Sequence, residues 1–165
     1  MNEKPILFSP EMAGLTAAGK KTQTRRTVRA QYVETKLRPF KILRDAFVDS
    51  VDNVILYRYG GVGDRLWVQE SFRLDQITYR ADGATRKRKR YIHGMYMPKM
   101  ASRTTLEIIK VRIQHLREIT EEDAVCEGTS GRAAFFALWD MLHGTHVSSN
   151  TNPLVEVYDF RKVIR

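Results

Sequence analysis

Residues 19–26 read GKKTQTRR: Gly19, Lys20, Lys21, Thr22, Gln23, Thr24, Arg25 and Arg26. Four of these eight side chains are cationic, two are threonines, and no acid lies nearer than Glu11 and Glu34. The stretch begins where a helix stops. Upstream, residues 6–9 (ILFS) read as a short strand, after which Ser9 suits an N-cap, Pro10 the first helical position and Glu11 the positive end of the helix. Met12, Leu15 and Thr16 recur at helical spacing as its inward face, and Gly19 suits the left-handed residue that ends a helix. By residue type alone, GKKTQTRR is a phosphate-gripping patch, the working end of an enzyme, or a solvated bend.

Downstream, residues 27–53 are polar and mixed. Residues 53–59 (NVILYRY) read as a strand, rich in branched and aromatic side chains. A turn at 60–64 leads to a second strand, RLWVQESF at 65–72. Its alternation puts Leu66, Val68 and Glu70 on one face and Trp67, Gln69 and Ser71 on the other. Residues 80–103 form a long basic loop around five consecutive cations, Arg86, Lys87, Arg88, Lys89 and Arg90. Residues 104–116 make the longest strand, with Leu106, Ile108, Lys110 and Arg112 alternating against Glu107, Ile109, Val111 and Ile113. Thr120-Glu121-Glu122-Asp123 resembles a capping box with Asp in place of Glu, opening a helix that ends near Gly128. A further helix spans 133–143, with Phe135, Leu138, Trp139 and Leu142 on one face and Gly144 as its stop. A last strand runs over 154–163.

Short strands with apolar residues on both faces, among a few short helices, predict an α+β fold: a small mixed β-barrel, closed, with short flanking helices. An open mixed sheet is the alternative. At 165 residues the length suits a single domain over 1–165. Lys and Arg number 28 against 19 Asp and Glu, a net charge of +9, which favours polyanionic partners such as nucleic acid. Apolar runs are too short to span a bilayer, so no membrane partner is expected. The first ten residues make a poor secretory signal, and the one cysteine, Cys126, permits no internal disulfide; both point to the cytoplasm. His93, His115, His143 and His146 are scattered and no cysteine pair exists, so neither a metal nor any other cofactor is expected. A monomer is assumed.

GKKTQTRR resembles the signature of ASCH domains, G-x-K-x-x-E-x-R. Gly19, Lys21 and Arg26 fall on its fixed positions and Thr24 on the Glu position. Threonine there is similar to the pattern of the small bacterial amidohydrolases of N4-acetylcytidine, members of that family. GDRLWVQESF, MPKMASR and the final VYDFRKV resemble the longer phage and prophage branch, so the likeness runs through nearly the whole chain in order. It implies a PUA-like barrel and substrates among RNA, nucleosides or related molecules. Against the shorter amidohydrolases, residues near 27–53 and 75–103 are insertions.

A threonine hydroxyl attacks only when a base takes its proton. Lys21 serves as that base if burial or the cations Lys20, Arg25 and Arg26 lower its pKa. The resemblance implies these roles, with Thr24 as nucleophile and Lys21 as its base. In a regular strand, positions 21 and 24 point to opposite faces, so a turn or bulge must lie between them. The leaving amine needs a proton donor. Glu127, placed before Gly128, resembles the family's catalytic glutamate, and Glu70 is the second candidate. Lys20 and Arg26 suit a phosphate or an oxyanion. Trp67 is either a base-stacking platform or core, and Trp139 is core. Arg86 to Arg90 are an electrostatic footprint for nucleic acid or a solubilising loop. The expected activity is hydrolysis of an N-acylated, N4-acetylcytidine-like nucleoside or modified RNA base. An RNA-binding module without catalysis, and an RNA-cleaving enzyme drawing on Lys21, Arg26 and the basic segment, stay open.

Overall fold

The structure, a computed structural model, describes residues 2–28, 46–48, 54–73, 78–83, 91–145 and 147–163. Five strands form one mixed sheet. Strand β1 (Glu3–Leu7) pairs parallel with β5 (Arg65–Gln69), which pairs antiparallel with β8 (Thr105–His115). Strand β9 (Leu154–Val163) joins β8 antiparallel, and β2 (Gln23–Thr27) closes the order β1-β5-β8-β9-β2. The short strands β3 (Ala46–Val48) and β4 (Val54–Leu56) pair with each other, as do β6 (Phe72–Arg73) and β7 (Thr78–Tyr79). Helix α1 (Pro10–Ala17) links β1 to β2, while α2 (Glu121–Cys126) and α3 (Arg132–His143) lie between β8 and β9.

The class is α+β, as the sequence implied. Its two-faced strands have a specific cause. On β9, Val155 and Val157 pack with Leu116, Ile119, Ala124, Phe135 and Trp139 under α2 and α3. Tyr158 and Phe160, on the opposite face, join Ile6, Leu66, Val68, Leu106 and Ile108 in the main core. One face of the sheet therefore bears the main core and the other carries helices. Strands β1 and β2 are the ends of the ladder, and the Arg26 guanidinium spans between them, donating to the Leu7 carbonyl at 2.9 Å.

Local signals account for most elements. Ser9 caps α1, its hydroxyl accepting from the Met12 amide at 3.3 Å, and Pro10 opens the helix. The inward residues of α1 are Ala13 and Thr16; Met12 and Leu15 are only half-buried. Thr120 accepts from the Asp123 amide at 3.0 Å, one half of the expected box, while the Asp123 carboxylate points elsewhere. The alternation expected along 104–116 fails at one place. A bulge between Ile108 and Lys110 slips the register, so Val111 takes the inward position expected of Lys110, and Ile109 is left 49% exposed. The strand expected over 65–72 is also divided: β5 stops at Gln69, and Phe72 starts a separate hairpin that packs with Met97 and Ala101. No described helix is long and apolar enough to cross a membrane. Arg86, Lys87, Arg88, Lys89 and Arg90 lie outside the described residues, as do His146 and most of the expected insertion at 27–53.

Candidate functional site

Helix α1 ends at Ala17, and Gly19 turns the chain at φ 73°. The amides of Lys20 and Lys21 both donate to the Leu15 carbonyl, at 2.9 and 3.2 Å. Thr22 then bonds in two directions: its amide donates to the Cys126 carbonyl and its carbonyl accepts from the Phe160 amide, each at 2.9 Å. Residues 20–22 are thus laid against the end of α2 before β2 begins. Lys21 stands outside the strand, so the opposite-face conflict with Thr24 does not arise. Both side chains line one pocket.

Lys21 is 3% exposed. Its Nζ donates to Glu127 Oε2 at 2.7 Å and to the Glu127 carbonyl at 2.6 Å. Glu127 is the C-cap of α2, so the ammonium meets both a carboxylate and a free helix-end carbonyl. Gly128, at φ 92°, lets the two helix ends approach. A Cβ there would lie 2.9 Å from Leu15 Cδ1 in a backbone conformation that L side chains rarely adopt.

The charges continue inward. Arg25, its side chain fully buried, reaches Glu127 Oε1 at 3.2 Å and Asp123 Oδ2 at 2.7 Å. Gln23 donates to Asp123 at 2.9 Å and also to Asp159. Arg112 reaches Asp159 at 2.6 Å and Asp123 at 3.3 Å. Lys21, Arg25 and Arg112 are therefore matched by Glu127, Asp123 and Asp159, and Arg26 is a surplus cation beside them. Burial is the main reason that the Lys21 pKa falls below the usual lysine value. Arg26 and Arg25 push it the same way, against Glu127, which favours the ammonium. Burial alone would raise the Asp123 carboxyl, but Gln23, Arg25 and Arg112 hold it below the usual range.

Thr24 is 3% exposed and lines the same pocket, and among the described residues its hydroxyl has no hydrogen-bond partner. The pocket encloses about 400 Å³, the size of a small-molecule site. Phe8 forms one wall, with the Lys21 ammonium and the Arg26 guanidinium each 5.5 Å from its ring centre. Helix α3 forms the other through Phe135, Leu138, Trp139 and Leu142. Leu138 and Leu142 thus serve as pocket wall, where their spacing suggested core; Trp139 is core, 4% exposed, with one edge on the pocket. His143 packs on Trp139 with ring centres 4.1 Å apart, and burial first, then Arg26, lowers its pKa.

Of the residues singled out from the sequence, Lys21, Thr24, Arg25, Arg26 and Glu127 come together here. Lys20 is exposed and outside the pocket. Trp67 is half-buried on β5, also outside. Glu70, 1% exposed, is held by Arg103 through two bonds of 2.8 and 3.0 Å and does not line the pocket. Sequence reasoning missed Gln23, Arg112, Asp123 and Asp159, whose only signal was their charge or amide on elements later found adjacent. It also missed the pocket-lining Ser71 and Arg80, and gave no role to His93 or His143.

No family model matches the chain, and no curated protein sequence does. Among solved structures it is similar to an ASCH domain from Lactobacillus crispatus JV V101, with a TM-score of 0.50 at 15% identity, covering 98% of this chain and 79% of that one. A DUF984 protein from Enterococcus faecalis V583 is also similar, with a TM-score of 0.47 at 14% identity, covering 99% of this chain and 80% of that one. At this identity the likeness is one of fold: the chain has the ASCH-domain fold.

Proposed function

We propose that this chain is an ASCH-domain amidohydrolase that removes an acyl group from the exocyclic amine of a cytidine-like base. One observation carries the reading. A buried lysine with a lowered pKa, a glutamate bonded to it at 2.7 Å, and a threonine hydroxyl with no hydrogen-bond partner among the described residues line one pocket. That arrangement is the nucleophile, base and proton carrier that amide cleavage needs.

In the first half-reaction, Thr24 Oγ1 attacks the acyl carbonyl carbon while the neutral Lys21 amine takes the hydroxyl proton. The Arg26 guanidinium, outside the balanced ion cluster, supplies positive charge for the developing oxyanion. As the C–N bond breaks, the proton passes from Lys21 through Glu127 to the departing amine, which leaves as the free exocyclic amino group. In the second half-reaction, water attacks the Thr24 ester and Lys21 takes its proton. As the ester bond breaks, Lys21 returns that proton to Thr24 Oγ1, which restores the hydroxyl, and the carboxylic acid departs and ionises in water. The net change is amide plus water to amine, carboxylate and one proton. Phe8 and the α3 wall offer apolar and aromatic surfaces to the flat base.

The test is incubation with N4-acetylcytidine, free and within a short RNA. Cytidine and acetate should appear with the unmodified protein and vanish with Thr24→Ala and Lys21→Ala. Absence of product with both substrates overturns the reading. The net charge of +9 favours a second reading, in which the same pocket holds an RNA base without cleaving it. RNA bound, with no cytidine released, selects that one.

A further inference from the structure

Strand β6 has a neighbour on each side. Phe72 pairs with Tyr79 of β7 and bridges to Ile92, both antiparallel. One residue back along β6 lies Ser71, so the antiparallel register puts Arg80 beside it on one side and His93 on the other. The Arg80 amide donates to the Ser71 carbonyl at 2.9 Å, which ties one side of this arrangement. All three residues line the pocket. They are far apart in sequence, and Arg80 and His93 belong to the segment near 75–103 that has no counterpart in the shorter amidohydrolases.

Each of the three has an unused donor. Among the described residues the Arg80 guanidinium makes no ion pair and the Ser71 hydroxyl no hydrogen bond. His93 Nδ1 accepts from the Met95 amide at 3.2 Å, which leaves Nε2–H as the ring's free donor. Gly94 fixes the loop that carries this imidazole: a Cβ there would meet Leu7 Cδ1 at 2.8 Å and the Glu70 backbone at 2.9 Å. Among the described residues the one carboxylate on the pocket lining, Glu127, already serves Lys21 and Arg25. Arg26, on the same pocket lining, adds a further positive charge.

We propose that Ser71, Arg80 and His93 form a phosphate subsite at the pocket, so that the ligand is a nucleotide, either a free monophosphate or a residue within RNA, and not a bare nucleoside. A guanidinium, an imidazole N–H and a hydroxyl side by side on one pocket lining, with no carboxylate bonded to them among the described residues, suit a phosphate group, which presents several acceptor oxygens and at least one negative charge. This inference rests on the nucleoside pocket proposed above, but its test does not require turnover. Binding of cytidine, cytidine 5′-monophosphate, cytidine 3′-monophosphate and a short cytidine-containing RNA is measured by calorimetry at two salt concentrations. A phosphorylated ligand should bind about tenfold or more tightly than cytidine, with the difference shrinking as salt rises. The Arg80→Gln/His93→Gln protein should bring that ratio close to unity, and Arg80→Lys should keep part of it. Arg80 and His93 are both exposed, so these changes leave the core intact. Tighter binding of a monophosphate than of RNA assigns the subsite to free nucleotides; the reverse order assigns it to the RNA backbone. Equal affinity for cytidine and every phosphorylated ligand, no detectable binding of any of them, or a ratio unchanged in the double variant overturns the proposal. Release of cytidine from N4-acetylcytidine is scored separately, so the subsite can fail while the hydrolase reading stands, and the reverse.

Discussion

Two buried glutamates, each bonded to a cation, are set in opposite surroundings. Glu70 accepts both arms of Arg103, whose guanidinium also takes Asp82 at 2.8 Å and lies 4.0 Å from the Tyr79 ring centre. One cation there has two carboxylates and an aromatic face. Burial works against that charge, yet the bonds to Glu70 and Asp82 outweigh it and the Arg103 pKa rises. Glu127 is the reverse case: one carboxylate is shared by Lys21 and Arg25, with Arg26 beyond them. Burial and the extra cations outweigh it, and the Lys21 pKa falls. The first arrangement favours the charged form of its cation; the second places in a pocket a lysine whose charged form burial disfavours. A buried ion pair is therefore no sign of chemistry by itself. The ratio of charges and the presence of a cavity separate the two.

The largest expected effect is on turnover. Thr24→Ala and Lys21→Ala should each lower cytidine release from N4-acetylcytidine by about 10³-fold or more, since each removes one partner of the proposed nucleophile–base pair. Thr24→Ser keeps the hydroxyl and should retain measurable rate. Glu70→Gln lies outside the pocket and should leave the rate within about twofold of the unmodified protein, because mutations distant from the chemistry are usually independent of it. A Glu70→Gln protein as inactive as Thr24→Ala would erase the functional distinction between the two glutamates.

Stability should separate them next. Glu127→Ala strips a buried lysine and a buried arginine of their shared carboxylate and should cost about 3–5 kcal/mol, the range for breaking a buried pair. Glu70→Ala leaves Arg103, 27% exposed, with Asp82 and water, and should cost about 1–2 kcal/mol. Urea midpoints of both variants read the difference, and equal losses would mean that the carboxylate-to-cation ratio has no energetic consequence.

The same contrast has a pH signature. A lysine whose folded pKa lies below its unfolded value of 10.5 is penalised while protonated. That penalty is fully present below the folded pKa and fades as pH rises towards 10.5, so Lys21 makes stability climb with pH over that window. As the proposed base, it should also give the rate a rising limb of about tenfold per pH unit, with its midpoint below 10.5. Asp123 acts at the other end. Its carboxyl is held below 3.8, so its stabilising contribution is present above that value and lost as pH falls through the folded pKa. In Lys21→Gln the alkaline rise in stability should flatten while the acid loss remains. An unchanged alkaline rise would assign it to another group.

How much of this was legible in sequence follows the range of each interaction. The cap at Ser9, the stop at Gly19 and the strand at 154–163 rest on neighbours a few residues apart, and each stands in the structure. Lys21 and Thr24 were singled out through the resemblance of an eight-residue motif, and Glu127 through its place before Gly128; periodicity pointed to none of them, and the structure brings all three to one pocket. Two kinds of feature were hidden. The bulge at Ile109 leaves no mark in an alternating pattern, because isoleucine suits either side of the slip. The partners Gln23–Asp159, Arg25–Asp123 and Arg112–Asp159 span 136, 98 and 47 residues, and only the sheet order and the packing of α2 on β2 bring them together. Ser71, Arg80 and His93 were hidden for the same reason: their adjacency is a property of β6 and its two neighbours.

The smallest effect tests whether the second glutamate's setting depends on one short helix. Helix α2 has six residues and would be marginal alone. It is held by the Thr120 hydroxyl at its start, and at its end by Lys21 on the Glu127 carbonyl and by the Thr22 amide on the Cys126 carbonyl. Thr120→Ala removes only the first of these and should cost about 1 kcal/mol. Because Asp123 is also clamped by Arg25 and Gln23, the far end should hold its place and the rate should fall less than about threefold, an effect within the cost of one exposed cap. A rate loss as large as that of Glu127→Gln would show that the position of Glu127 is set from the N-terminus of the helix. Its functional setting would then belong to α2 as a unit, and not to the charges gathered around its last turn.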